Sequence, residues 1–97
     1  MSPEPAKVDF AKLRELLSKE TYPHTYTYKF IGKNSQRFTN GLHALEGKFP
    51  KLIVRGSRES TGGQNLAVTY ALDAMNADEI IDVLGAVTRV EDLLVIL

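Results

Sequence analysis

A chain of 97 residues, 43% hydrophobic and 25% charged with a formal charge of zero, has the size and composition of one globular domain. At this length folding hides roughly 60–65% of the unfolded surface, which leaves little material for a second lobe. The absence of cysteine excludes disulfides, thiolate nucleophiles and cysteine-held zinc or iron–sulfur centres, and with no apolar run near the ~18 residues of a membrane span and no signal-like start in MSPEPAKVD, a cytoplasmic location is expected.

The whole chain, 1–97, reads as a single domain that opens with a flexible proline-bearing arm over 1–8 (Pro3, Pro5). Phe10, Leu13, Leu16 and Leu17 then recur at helical spacing behind Asp9, a plausible N-cap, so the pattern predicts a short amphipathic helix over 9–19. Tyr22-Pro23 stops it, because a residue before proline is pushed out of the helical region. HTYTYKFI, 24–31, is aromatic and β-branched and closes on Gly32, which predicts a strand with a tight exit. From Ser35 onward Phe38, Leu42, Leu45 and Phe49 form a helical stripe, capped by Asn34 or Ser35 and ended by Pro50.

KLIVRGSRE and NLAVTYALDA predict two strands joined by the STGGQ turn, a β-hairpin. Asn76 with Glu79 three residues on marks the start of a further helix, whose Ile80, Ile81, Leu84 and Val87 face inward, and DLLVIL makes a last strand. Apart from the first helix the order is β-α-β-β-α-β. The expected fold is therefore α+β, a ferredoxin-like βαββαβ sandwich: a four-stranded antiparallel sheet, two helices on one face, strands one and three central, and an extra N-terminal helix.

Gly62-Gly63, after Ser60 and Thr61, raises the question of a phosphate loop. Such a loop needs its glycines between a strand and a helix, usually with a lysine to follow, and here a strand follows and the lysine is missing, so the pair is expected to bend a turn. Ser60, Thr61 and Gln64 at that hairpin tip are candidates for touching a partner. Gly32, Lys33, Asn34 and Ser35 do precede a helix, and form the candidate binding site for a small carboxylate or phosphate.

His43 with Glu46 one turn away reads as a surface pair rather than half of a metal site, and Asp78, Glu79 and Asp82 as acids favoured by a helix start. No catalytic, metal or cofactor site is expected. Tyr26, Tyr28 and Phe30 alternate along a central strand as RNA-stacking aromatics do, but the third strand offers only Tyr70, and Tyr28 and Phe30 are expected in the core.

The zero net charge hides a segregation. Residues 24–58 hold seven cations against Glu46 alone, a net +6, and residues 59–97 hold seven acids against Arg89, a net −6. Arg37, Lys48, Lys51, Arg55 and Arg58 are expected to form a basic flank for a partner, opposed to an acidic one, although such faces also differ by chance.

LRELL, YPHTYTYKFIGKNS, and S…GGQNLAVTYALDAMNADEIIDVLGAVTRVEDLLVIL together resemble the YbeD-like small bacterial proteins, the DUF493 or UPF0250 family, over nearly all of Leu13 to Leu97. The resemblance implies a ferredoxin-like fold similar to ACT domains, which sense amino acids and regulate enzymes. ACT sites use an Asp-x-Pro-Gly-type loop after the first strand; this chain places Gly32 there, behind Phe30-Ile31 and without the proline.

The leading expectation is a non-catalytic interaction or regulatory module of bacterial cytoplasmic type, meeting a protein partner or a second copy through its sheet edges, with no membrane partner. One alternative is an ACT-like amino-acid sensor. The other is a weak RNA-binding module using Lys29, Lys33, Arg37, Lys51, Arg55 and Arg58.

Overall fold

The computed structural model describes residues 9–97; the arm expected over 1–8 lies outside them. Seven elements follow in order: α1 (Phe10–Leu17), β1 (His24–Lys33), α2 (Gln36–Lys48), β2 (Ile53–Glu59), β3 (Asn65–Ala74), α3 (Ala77–Val87) and β4 (Leu93–Ile96). The sheet order is β2-β3-β1-β4 with every pair antiparallel, so the predicted α+β sandwich, with strands one and three central, is the fold.

Alternation along β1 and β3 puts Tyr28 and Phe30 opposite Tyr70 and Val68, all buried beneath the helices. Thr25, Thr27 and Lys29 take the other, open face. Phe38, Leu42 and Leu45 of α2 and Ile80, Val83, Leu84 and Val87 of α3 close the core from one side. Two tyrosines are tolerated there because their hydroxyls are satisfied: Tyr28 donates to the Ile80 carbonyl at 2.9 Å and Tyr70 to Glu46 Oε2 at 2.7 Å. Burial raises both phenols, with Glu46 adding to the effect at Tyr70.

The helix caps form as their residue types dictate. Asp9, Ser35 and Asn76 each accept a backbone N–H of the first turn. α1 stops at Leu17 rather than 19: Ser18 Oγ folds back on the Glu15 carbonyl, and the Tyr22 hydroxyl donates to the Leu17 carbonyl at 2.8 Å. Leu17 joins the core while Arg14 pairs with Asp78, which docks α1 on α3.

β1 continues two residues past its expected end, so Gly32 is a strand residue and no exit. Its backbone is ordinary; what demands glycine is the Phe38 ring, 2.6 Å from where a Cβ would stand. β2 begins at Ile53 rather than Lys51, since the Leu52 N–H closes a turn on the Phe49 carbonyl at 2.9 Å. β4 begins at Leu93 because Asp92, at φ +66°, sits in the left-handed region.

Candidate functional site

Three surfaces gather the residues singled out by the sequence. The first is the junction of β1 and α2. Lys33 closes β1, and only Asn34 and Ser35 form the connection. Asn34 Nδ2 donates to Glu59 Oε1 at 3.1 Å and to the Gly63 carbonyl at 3.0 Å, tying the junction to the β2–β3 hairpin. Ser35 Oγ caps α2 through the Phe38 N–H and donates to Asp92 Oδ2 at 2.6 Å. A protein carboxylate thus occupies the place beside the α2 N-terminus where a ligand anion was expected. Gly32, Asn34 and Ser35 have packing, tethering and capping roles; Lys33 is exposed.

The hairpin tip is a glycine turn. Gly62 and Gly63 take φ of +87° and +72°, and the Gly63 N–H donates to the Ser60 carbonyl at 2.8 Å. β3 follows directly, so the glycines serve no helix start.

The second surface is the basic flank, which divides. Arg37 Nε stands 3.8 Å from Glu91, and Lys51 Nζ reaches both oxygens of Glu79 at 2.5 and 3.1 Å. Those pairs join the basic half of the sequence to the acidic half across the molecule. The Lys51 hydrogen bond, helped by the Met75 N–H, holds the Glu79 carboxyl below the usual glutamate range despite some burial. Lys48 lies over the Phe49 ring. Arg55 and Arg58, both on β2, form no ion pair among the described residues. The expected His43–Glu46 surface pair does not form, since Glu46 turns to Tyr70 instead and His43 faces solvent.

The third surface is β2 itself. It is an edge strand with all seven residues exposed, Ile53 at 51% and Val54 at 47%. Ser60 N–H donates to the Asn65 carbonyl at 2.9 Å, and antiparallel alternation counted back from that pair turns the backbone groups of Ser57 and Glu59 outward. Arg55 is the extra residue of a bulge between Val54 and Gly56. The opposite edge, β4, is only four residues long.

On the open sheet face, no described aromatic is available to stack a base: Tyr28, Phe30 and Tyr70 are buried on the helix side, and Tyr26 packs against the same core. Between α2 and the end of α3 lies a cleft of about 470 Å³, lined among others by Gly41, Ala44, Arg37, Lys48 and Arg89. Among the described residues no group of three or more His, Cys, Asp or Glu could hold a metal ion, and no helix is long and apolar enough to cross a membrane.

Fold and surfaces together define a two-layer α+β sandwich with one long, uncovered sheet edge. Residues 18–97 match the family model described as "Protein of unknown function (DUF493)", and the chain belongs to that family. No curated protein and no solved structure matches it.

Proposed function

We propose that the domain is a non-catalytic, cytoplasmic interaction module whose β2 edge accepts a further strand, first of all from a second copy of the chain. The observation that carries this is the seven-residue edge strand, exposed throughout and carrying Ile53 and Val54 uncovered. The carboxylates that acid–base chemistry would draw on have structural partners: Glu46 holds Tyr70, Glu79 holds Lys51, Asp73 holds Thr25 and Asp92 holds Ser35.

Charge selects a register for self-pairing. Antiparallel pairing centred on Arg58 sets Arg58 against its own copy. Centring on Ser57 sets Arg55 of each copy against Glu59 of the other, and joins strands through residues whose backbone already faces outward. Sedimentation equilibrium tests this. Arg55→Glu and Glu59→Arg are each expected to weaken the dimer, and the double charge swap to restore it. A strict monomer at millimolar concentration refutes self-pairing. Amino-acid sensing through Gly32–Ser35 has less support, because a ligand there must displace the Ser35–Asp92 and Asn34 bonds.

A further inference from the structure

The open face of the sheet carries a second feature, distinct from the outward-facing backbone of β2 although it shares Arg58 with that strand. Arg58 stands opposite Ala67 in the β2–β3 register, Ala67 stands opposite Ile31 in the β1–β3 register, and Lys29 lies one row away opposite Thr69. The small side chain of Ala67, between Arg58 and Ile31 with Lys29 on the diagonal, leaves a pocket of about 350 Å³ that Ser60, Thr61 and Asn65 also line. Neither Lys29 nor Arg58 forms an ion pair among the described residues. Glu59 also borders the pocket, but it lies at the opposite parity, facing Leu66, and Asn34 holds its Oε1.

Donors complete the site. Ser60 Oγ accepts the Asn65 N–H at 3.0 Å, which leaves the hydroxyl proton free to be donated. The Thr61 hydroxyl and the Asn65 side-chain carboxamide make no hydrogen bond among the described residues, whereas the Asn65 backbone N–H is taken by Ser60. Two cations without ion-pair partners among the described residues, beside three spare donors, offer charge-assisted hydrogen bonds to an anion that enters the pocket.

We infer that this pocket is an oxyanion site that takes the phosphate or carboxylate group of a small ligand. It shares Arg58 with β2 but needs no added strand, since side chains build it and the outward backbone of Ser57 and Glu59 takes no part.

The test is an amide NMR titration of the full chain at fixed ionic strength, with inorganic phosphate in one arm and acetate in the other. Saturating shifts confined to Lys29, Arg58, Ser60, Thr61 and Asn65 are expected; saturation by phosphate alone assigns a phosphate ligand, and saturation by acetate a carboxylate. Lys29→Gln and Arg58→Gln should each weaken binding about tenfold, the loss of one charge-assisted hydrogen bond. Ala67→Leu keeps both charges and fills the pocket, so it should abolish saturation and thereby separate a pocket from a merely basic surface. Non-saturating shifts spread equally to Lys48 and Arg89, or unchanged binding in Ala67→Leu, would overturn the inference.

Discussion

Replacing Gly32 by alanine adds one methyl group, and the structure fixes the sign of its effect. The new Cβ would stand 2.6 Å from Cδ1 and Cε1 of Phe38 and 2.7 Å from its Cζ. Carbon contacts are comfortable only near 3.5–4.0 Å, so the ring must retreat by about 1 Å. Phe38 is wholly buried in the packed core, and a retreat presses on the side chains around it. Overpacking of this kind costs about 1–3 kcal/mol. At about 4–8 °C per kcal/mol for a domain of this size, a cost of about 2 kcal/mol lowers Tm by about 8–16 °C. Without the clash the sign would reverse, because Gly32 has no positive φ and Gly→Ala at a compatible position stabilises by about 0.4–1 kcal/mol through the unfolded state. Thermal denaturation followed by circular dichroism gives the first reading. A double-mutant cycle with Phe38→Leu gives the second: in the smaller ring-free background Gly32→Ala should lose most of its cost, a coupling of about 1–2 kcal/mol. An unchanged or raised Tm for Gly32→Ala, or additive effects in the cycle, refutes the steric account.

Three further outcomes are expected. Glu79→Gln should cost about 0.5–1 kcal/mol at neutral pH, a modest figure because the Lys51 side chain is half exposed; since the folded-state carboxyl is depressed, the difference from wild type should be full above the unfolded glutamate value of about 4.3 and vanish as pH falls through the lower folded value, as urea titrations across pH would show. Tyr28→Phe should destabilise by about 1 kcal/mol without altering the fold, because the Ile80 carbonyl keeps its helical partner when the hydroxyl is lost. Asp92→Ala should cost about 2 kcal/mol in chemical denaturation, half from the left-handed backbone and half from the Ser35 bond, whereas Asp92→Gly should cost clearly less because glycine removes the backbone half.

The α+β order was legible because its signals are local and mutually consistent. Phe38, Leu42 and Leu45 recur at helical spacing, the tyrosines of β1 alternate, Asn76 and Ser35 are capping residues, and Gly62-Gly63 lies between two β-branched runs. What escaped was set by contacts distant in sequence. Gly32 looked like an exit and is a packing gap for a ring six residues on. The Gly32–Ser35 loop looked open because nothing nearby announces that Asp92, 57 residues away, fills the position beside Ser35. The basic flank looked uniform because charge counts are blind to partners; Lys51 and Arg37 meet acids of the other half, while Lys48, Arg55 and Arg58 meet none among the described residues. Lys29 gave no sign of lining one pocket with Arg58, since β3 lies between their strands and brings them to the same face. The docking of α1 depends on Leu17 and Arg14 finding α3, which helical periodicity cannot specify.

The outward-facing backbone of β2 gives the most direct reading of the proposed role. Hydrogen exchange of the Ser57 and Glu59 amides, followed as protein concentration rises, should show both becoming protected together while Arg58, already bonded to β3, stays constant. Exchange at Ser57 and Glu59 that is fast and independent of concentration would contradict strand addition between copies at this edge.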